Sequence, residues 1–235
     1  MTIQGFDHGA QIFATALQIF NQFELTIEIG SDFNQYRSLL LKHRPQQPLG
    51  PPFDPEIHEL NAQNAFWLVA KDRDGRVVHT QAMRVLNLQS TTLADHLRGS
   101  FRSFPPVGPD IDLAASRYRA GLSAQKISVV VCYHGELWMD DTVGAFRGRG
   151  LSAVLGRFAF LTGLMRLSPD YIFGSVALPV IFKGLAERLG YMHTEPSCIR
   201  WRQNDSDRLL EGFMVWMSRD DLKFVMTIPL LDLVA

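Results

Sequence analysis

Between residues 146 and 152 the chain reads Phe-Arg-Gly-Arg-Gly-Leu-Ser, after a β-prone stretch and before an apolar stretch of helical period. Two glycines one residue apart let the backbone curl until successive N–H groups face one concavity, and the first turn of the helix adds the positive end of its dipole. Arg147 and Arg149 bring full charges. Such a turn can hold a pyrophosphate. The plainer alternative is a tight strand-to-helix turn with exposed arginines. Gly148-x-Gly150-x-x-Ala153 also satisfies the dinucleotide pattern, with Asp170 further on. In that pattern the acidic residue closes the second strand, whereas Asp170 precedes the strand expected here. A nicotinamide site is therefore set aside.

The carboxylates nearest this turn are Glu136, Asp140 and Asp141, on the segment Glu136–Val143 that leads into it. They are the candidates for taking a proton from an attacking group, directly or through water. Asp140 and Asp141, being adjacent on a strand, must point to opposite faces. Each would otherwise be solvated or salt-bridged. The seven histidines show neither H-x-H nor H-E-x-x-H spacing, so no metal site is expected. Cys132 lies in an apolar run and reads as core rather than nucleophile, and there is no G-x-S-x-G elbow.

The elements that position these residues follow from periodicity. Residues 10–21 have helical spacing, and 23–29 alternates as a half-buried strand. Ser31-Asp32 caps a helix through Leu41, and five prolines between His43 and Pro55 make a surface loop. Residues 66–71 and 77–88 form a hairpin around Asp72-Arg73-Asp74-Gly75. Thr91 or Thr92 starts a short helix to Phe101. A Pro/Gly loop (104–110) and a polar, helical stretch come next. Strands are expected over 126–133 and 136–143, joined by a tight turn at His134-Gly135. A helix from Leu151 ends at Ser168-Pro169-Asp170, and 171–178 is a strand. Pro179 opens a helix that Gly190 ends, and strands return at 198–202 and 212–217. The order implies an α/β protein with a mixed sheet and helices on its faces.

The segment around the turn resembles the GNAT superfamily of acyl-CoA-dependent N-acyltransferases. That family's motif Q/R-x-x-G-x-G/A, often an aromatic followed by R-G-K-G-hydrophobic-G, is similar to Phe146-Arg147-Gly148-Arg149-Gly150-Leu151, with Ser152 where Gly or Ala is usual. A second family signature, L-Y-E-K-L-G-F, is matched in register by Leu185-Ala186-Glu187-Arg188-Leu189-Gly190-Tyr191. The resemblance implies the GNAT fold, a central twisted mixed sheet flanked by helices, over a single domain 1–235. Its parts would be an extended N-terminal portion (1–125), an acyl-CoA-binding core (126–202) and a C-terminal strand and tail (203–235).

It further implies that Arg147, Gly148, Arg149, Gly150, Leu151 and Ser152 hold the coenzyme A pyrophosphate, and that the fourth strand carries a bulge and splays from the fifth. The pantetheine arm would lie in that gap beside Thr142 and Val143, where a free amide can stabilise an oxyanion. The cosubstrate would be acetyl-CoA or another acyl-CoA, and the acceptor a small-molecule or peptide amine attacking directly. The family's frequent acid, a Tyr, is replaced by Ala186, and Tyr191 takes a packing position usually held by Phe. Replacing Arg147 by Ala together with Gly150 by Val is expected to abolish coenzyme A binding and leave the fold intact.

The N-terminal half also resembles acyl-homoserine-lactone synthases through Arg37, Phe53-Asp54 and the hairpin, which leaves an acyl-ACP donor open. A non-catalytic acyl-CoA-binding module is a further alternative. Composition is consistent with a globular enzyme: 235 residues, 46% hydrophobic, 20% charged, net charge −1. That charge argues against nucleic acid as partner. No apolar run reaches the ~20 residues of a membrane span, and the two cysteines fit a reducing cytoplasm. Strand-edge pairing is a route to a homodimer.

Overall fold

A computed structural model describes residues 3–140, 148–204, 206 and 209–234. The apolar hairpin of β2 (Ala65–Lys71) and β3 (Val77–Leu88) is buried on both faces along most of its length. The Asp72 carboxylate holds the turn by accepting from the amides of Asp74 and Arg76. Around the hairpin, β1 (Thr26–Gly30), β4 (Ile111–Tyr118), β5 (Val129–Met139), β6 (Tyr171–Ala177), β7 (His193–Gln203) and β8 (Leu209–Ser218) complete one eight-stranded sheet. The strand order is β1-β2-β3-β5-β6-β8-β7-β4. All neighbours are antiparallel except β5 and β6. The sequence expectation of a mixed sheet between helices is met.

One face carries α1 (Ile3–Gln22), α4 (Leu151–Leu167), the short helices α5 (Leu178–Ile181) and α6 (Leu185–Leu189), and α7 (Arg219–Val225). Most of α4 is buried around its whole circumference, because it lies between the sheet and α1. Phe158 of α4 meets Phe13 and Phe20 of α1 at ring-centroid distances of 4.5 and 5.2 Å. The C-terminal 3-10 turn, Leu230–Leu233, seats its buried Leu230 in the same core. The other face carries α2 (Phe33–His43), capped by Asp32, and α3 (Leu93–Ser100), capped by Thr92. Two separate apolar clusters lie there, one beneath α2 and one beneath α3.

Three local expectations are corrected. His134-Gly135 is not a turn, and 126–133 and 136–143 are not two paired strands. A single strand, β5, runs through, pairing with β3 from Val129 to Met139. Glu136 adopts a left-handed φ of 56°, and the register slips so that Glu136 and Leu137 together face Gln81. This is a β-bulge, which absorbs one residue without ending the ladder. The polar stretch after Asp110 is not a helix but the edge strand β4. A shift between Asp112 and Arg117 breaks its alternation and hides the strand period. The helix expected from Pro179 to Leu189 is broken at Gly184, whose φ is 70°.

Candidate functional site

β5 and β6 pair at only three positions, Val131–Tyr171, Cys132–Ile172 and Tyr133–Phe173. At the next step the two chains are still close, since a Cβ on Gly174 would lie 3.0 Å from the His134 carbonyl oxygen. Beyond it, the rest of β5 pairs only with β3, and the rest of β6 only with β8. The two facing edges therefore diverge from a vertex at His134 and Gly174. Backbone donors and acceptors along such edges require partners, and an extended ligand carrying amides could supply them. The bulge and the splay that the resemblance implies are both present.

The Gly/Arg turn leads into α4, the helix whose Leu155 carbonyl accepts from Gln81 of β3. Gly148 and Gly150 have φ values of 75° and 74°. Both lie in the region that costs other residues about 1–2 kcal/mol. Gly150 is the N-cap, with no side-chain cap; its carbonyl accepts the Ala153 amide at 2.9 Å, and the Leu151 and Ser152 amides before it are the ones open to another acceptor. Leu151 is buried in the core and anchors the helix start. Arg149 stacks its guanidinium 4.6 Å from the centroid of the Phe23 ring. Asp141, Thr142, Val143 and Arg147 lie outside the described residues.

The turn has a second neighbour. A Cβ on Gly150 would overlap the Leu233 carbonyl oxygen, and would lie 2.6 Å from its carbon and 3.0 Å from Val234 Cα. The expectation that Gly150→Val leaves the fold intact is therefore corrected, because a side chain there collides with the backbone of the C-terminal segment. A Cβ on Gly148 would meet nothing within 4 Å.

Glu136 sits on the bulge and faces the α2 side. Its carboxylate is paired with Arg44 and also accepts the Gly50 amide at 2.9 Å. The two side chains are 2% and 10% exposed, so this is a buried ion pair joining the Pro-rich loop to β5. Arg44 still has Nε and Nη1 enclosed without partners, and the Tyr36 hydroxyl beside it is likewise unpaired. Asp140 is half-buried, and its amide donates to the Val78 carbonyl at 2.8 Å, which extends the β3–β5 pairing past Met139. Glu136 and Asp140 thus lie on one strand end, and the Glu136 carboxylate is committed to a buried cation.

On the α4 side of the vertex lies a polar chain that the sequence did not disclose. Gln81 Nε2 donates to the Leu155 carbonyl at 2.8 Å, so its Oε1 is the acceptor facing His134 Nε2 at 3.0 Å. His134 Nδ1 lies 2.9 Å from the Tyr191 hydroxyl. Burial pulls the His134 pKa down to about 4 and pushes the Tyr191 phenol well above its ordinary value. With His134 neutral and Nε2–H donating to Gln81, Nδ1 accepts the Tyr191 proton. A Cβ on Gly174 would lie 3.3 Å from that hydroxyl, which places it at the vertex. Tyr191 is packed, as the motif resemblance implies, yet it also carries a specific hydrogen bond. Ala186 is buried in the core, and Cys132 is buried with its pKa raised to about 12 by desolvation, consistent with a core thiol.

No protein-family model matches the chain, and no curated protein matches its sequence. Solved structures do resemble it. Among them is a spermidine N-acetyltransferase from Vibrio cholerae in complex with CoA and spermine. It is 12% identical, with a TM-score of 0.44 over 85% of this chain and 98% of that one. Arabidopsis thaliana NAA60 in complex with acetyl-CoA is 12% identical, with a TM-score of 0.43 over 83% and 99%. An N-acetyltransferase from Staphylococcus aureus Mu50 is 11% identical, with a TM-score of 0.42 over 82% and 97%. Among the described residues, no group of three ligating side chains could hold a metal ion, and no helix is long and apolar enough to cross a membrane.

Proposed function

We propose that the protein is an N-acyltransferase that moves an acyl group, in the first instance acetyl, from coenzyme A to an amine. The observation that carries this reading is the presence of two features in one sheet-and-helix unit. A helix start without a side-chain cap, preceded by two left-handed glycines, leads into a helix packed on a sheet whose parallel strands part after three residue pairs. The first suits a pyrophosphate. The second leaves strand edges that suit the amides of a pantetheine arm. Motif resemblance in residues 146–152 and 185–191 points the same way.

In this reading the amides from Arg147 to Ser152 receive the pyrophosphate, and Thr142 and Val143 lie beside the thioester end. The acceptor amine approaches from the α2 side of the sheet, past the loop that Glu136 and Arg44 tie down. Its nitrogen bonds to the thioester carbon, the carbon–sulfur bond breaks, and coenzyme A leaves as the thiol. The surplus proton of the ammonium goes to solvent, with Asp140 and Asp141 as the carboxylates nearest the strand end. Glu136 acts by positioning the loop. Titration calorimetry with acetyl-CoA, acyl-ACP and NAD tests the donor. Micromolar binding of acetyl-CoA alone is expected. Binding of acyl-ACP alone would replace the donor, and binding of none would refute the reading.

A further inference from the structure

On the α2 and α3 side of the sheet the two apolar clusters meet along a polar seam, and Arg84 lies in it. Arg84 is on β3 directly opposite Tyr133 of β5, which is in turn opposite Phe173 of β6, one residue before the vertex. Tyr133 belongs to the margin of both clusters, its ring 5.5 Å from Phe53 and 5.2 Å from Phe173. Arg84 is only 9% exposed. Its Nη1 donates to the Pro52 carbonyl at 2.8 Å, and among the described residues it makes no ion pair. The neighbouring carboxylates are committed elsewhere, Asp54 to Arg37 and Glu136 to Arg44.

What remains of the guanidinium is its Nε–Nη2 edge. These atoms have no protein partner, yet they are not among the fully enclosed unpaired atoms, as Arg44 Nε and Arg157 Nε are. That edge therefore keeps a path to solvent. The other titratable neighbours, His58 and His96, are held towards the neutral form, first by burial and next by the charge of Arg84 itself. Burial lowers the Arg84 pKa only to about 10, so the cation persists at neutral pH. A nearly buried cation without a counter-ion is costly, and a planar edge with two parallel N–H groups matches a carboxylate.

We propose that Arg84 receives a carboxylate carried by the amine acceptor, through its Nε–Nη2 edge. This inference rests on the acyl-transfer reading. Strands lie about 4.8 Å apart, so the Arg84 backbone is two spacings from β6 and the vertex. The acceptor that fits has its carboxylate several bonds from its nitrogen.

The probes are 6-aminohexanoate and hexylamine, which share the amine and differ in the carboxylate. Each is titrated by NMR into the protein holding coenzyme A, and thioester loss is measured separately. The carboxylate should bind more tightly to the natural protein. Arg84→Gln should weaken 6-aminohexanoate by about 10- to 100-fold, the effect of losing charge-assisted hydrogen bonds, and leave hexylamine and coenzyme A affinity unchanged. Arg84→Lys should recover part of the loss, which also covers the case in which the glutamine variant does not fold. No preference between the two probes, or full retention of 6-aminohexanoate by a folded Arg84→Gln protein, overturns the proposal. Arg84-dependent binding with no thioester loss for any amine would keep the anion site and remove acyl transfer. Turnover that ignores the carboxylate would remove the Arg84 assignment alone.

Discussion

Gly148 and Gly150 share a turn and nearly the same φ, so alanine at either position pays the same conformational cost and differs only in what the new methyl meets. At Gly148 it meets nothing, and the cost is the left-handed backbone alone, about 1–2 kcal/mol. At Gly150 it runs into the backbone at Leu233, and backbone cannot swing aside as a side chain can. The C-terminal segment must lift, uncovering Leu230 and part of Leu233 and Val234, at about 1.5–3 kcal/mol for each side chain fully exposed. Gly150→Ala should therefore cost about 3–6 kcal/mol in all. For a chain of this size that lowers Tm by roughly 6–24 °C, against about 2–8 °C for Gly148→Ala. Urea and thermal unfolding followed by circular dichroism read the difference. Coenzyme A titration of the folded Gly148→Ala protein should show affinity down about tenfold, since a residue pushed out of the left-handed region turns an amide from the cavity. Equal destabilisation of the two variants would show that the C-terminal segment is not seated on the turn. Undiminished coenzyme A affinity in Gly148→Ala would show that the turn is not the phosphate cradle.

Glu136→Gln should destabilise by about 3–5 kcal/mol, because it leaves Arg44 charged and enclosed. The double variant Glu136→Gln with Arg44→Met should recover much of this in urea unfolding. A single variant as stable as the natural protein would refute the buried pair. Tyr191→Phe should cost about 1–3 kcal/mol through the unsatisfied His134 Nδ1, and its His134 ring resonances should shift in NMR spectra; unchanged resonances would sink the assigned tautomer. His134 and His79 have folded pKa values of about 4 and about 3, below the 6.5 of a free imidazole. The unfolded chain therefore takes up these protons first. Their contribution is complete above about pH 6.5 and lost as pH falls through 4 and then 3, by up to about 3 kcal/mol at His134 and about 5 kcal/mol at His79. Unfolding free energies between pH 7 and 4.5 should decline accordingly, and a flat profile would contradict buried neutral histidines.

What was legible in the sequence was what local chemistry decides. The Gly/Arg turn, the start of α4, the hairpin around Asp72 and the end of α6 at Gly190 all lie where residue type alone limits the backbone. His134-Gly135 misled for the same reason. Histidine and glycine together carry a turn signal, but β3 alongside holds the strand extended and the irregularity falls on Glu136 instead. Edge strand β4 was illegible because it satisfies only one neighbour, and its bulge removes the alternation that marks a strand.

The site itself depends on partners far apart in the chain. Arg44 and Glu136 are separated by 92 positions, and His134 reaches Gln81 across 53 and Tyr191 across 57. No periodicity links residues at such distances. A usable signal does exist at one of them: a tyrosine where packing alone calls for phenylalanine has a hydroxyl that must be satisfied once buried. At Tyr191 that requirement is met by a histidine at the point where the strands part. The same reasoning applies to Arg84. A guanidinium placed opposite Tyr133 in an otherwise apolar stretch of β3 has a cost to offset, and the fold offsets only one of its edges. The open edge lies on the α2 and α3 side of the sheet, and it is there that we propose the acceptor's carboxylate binds.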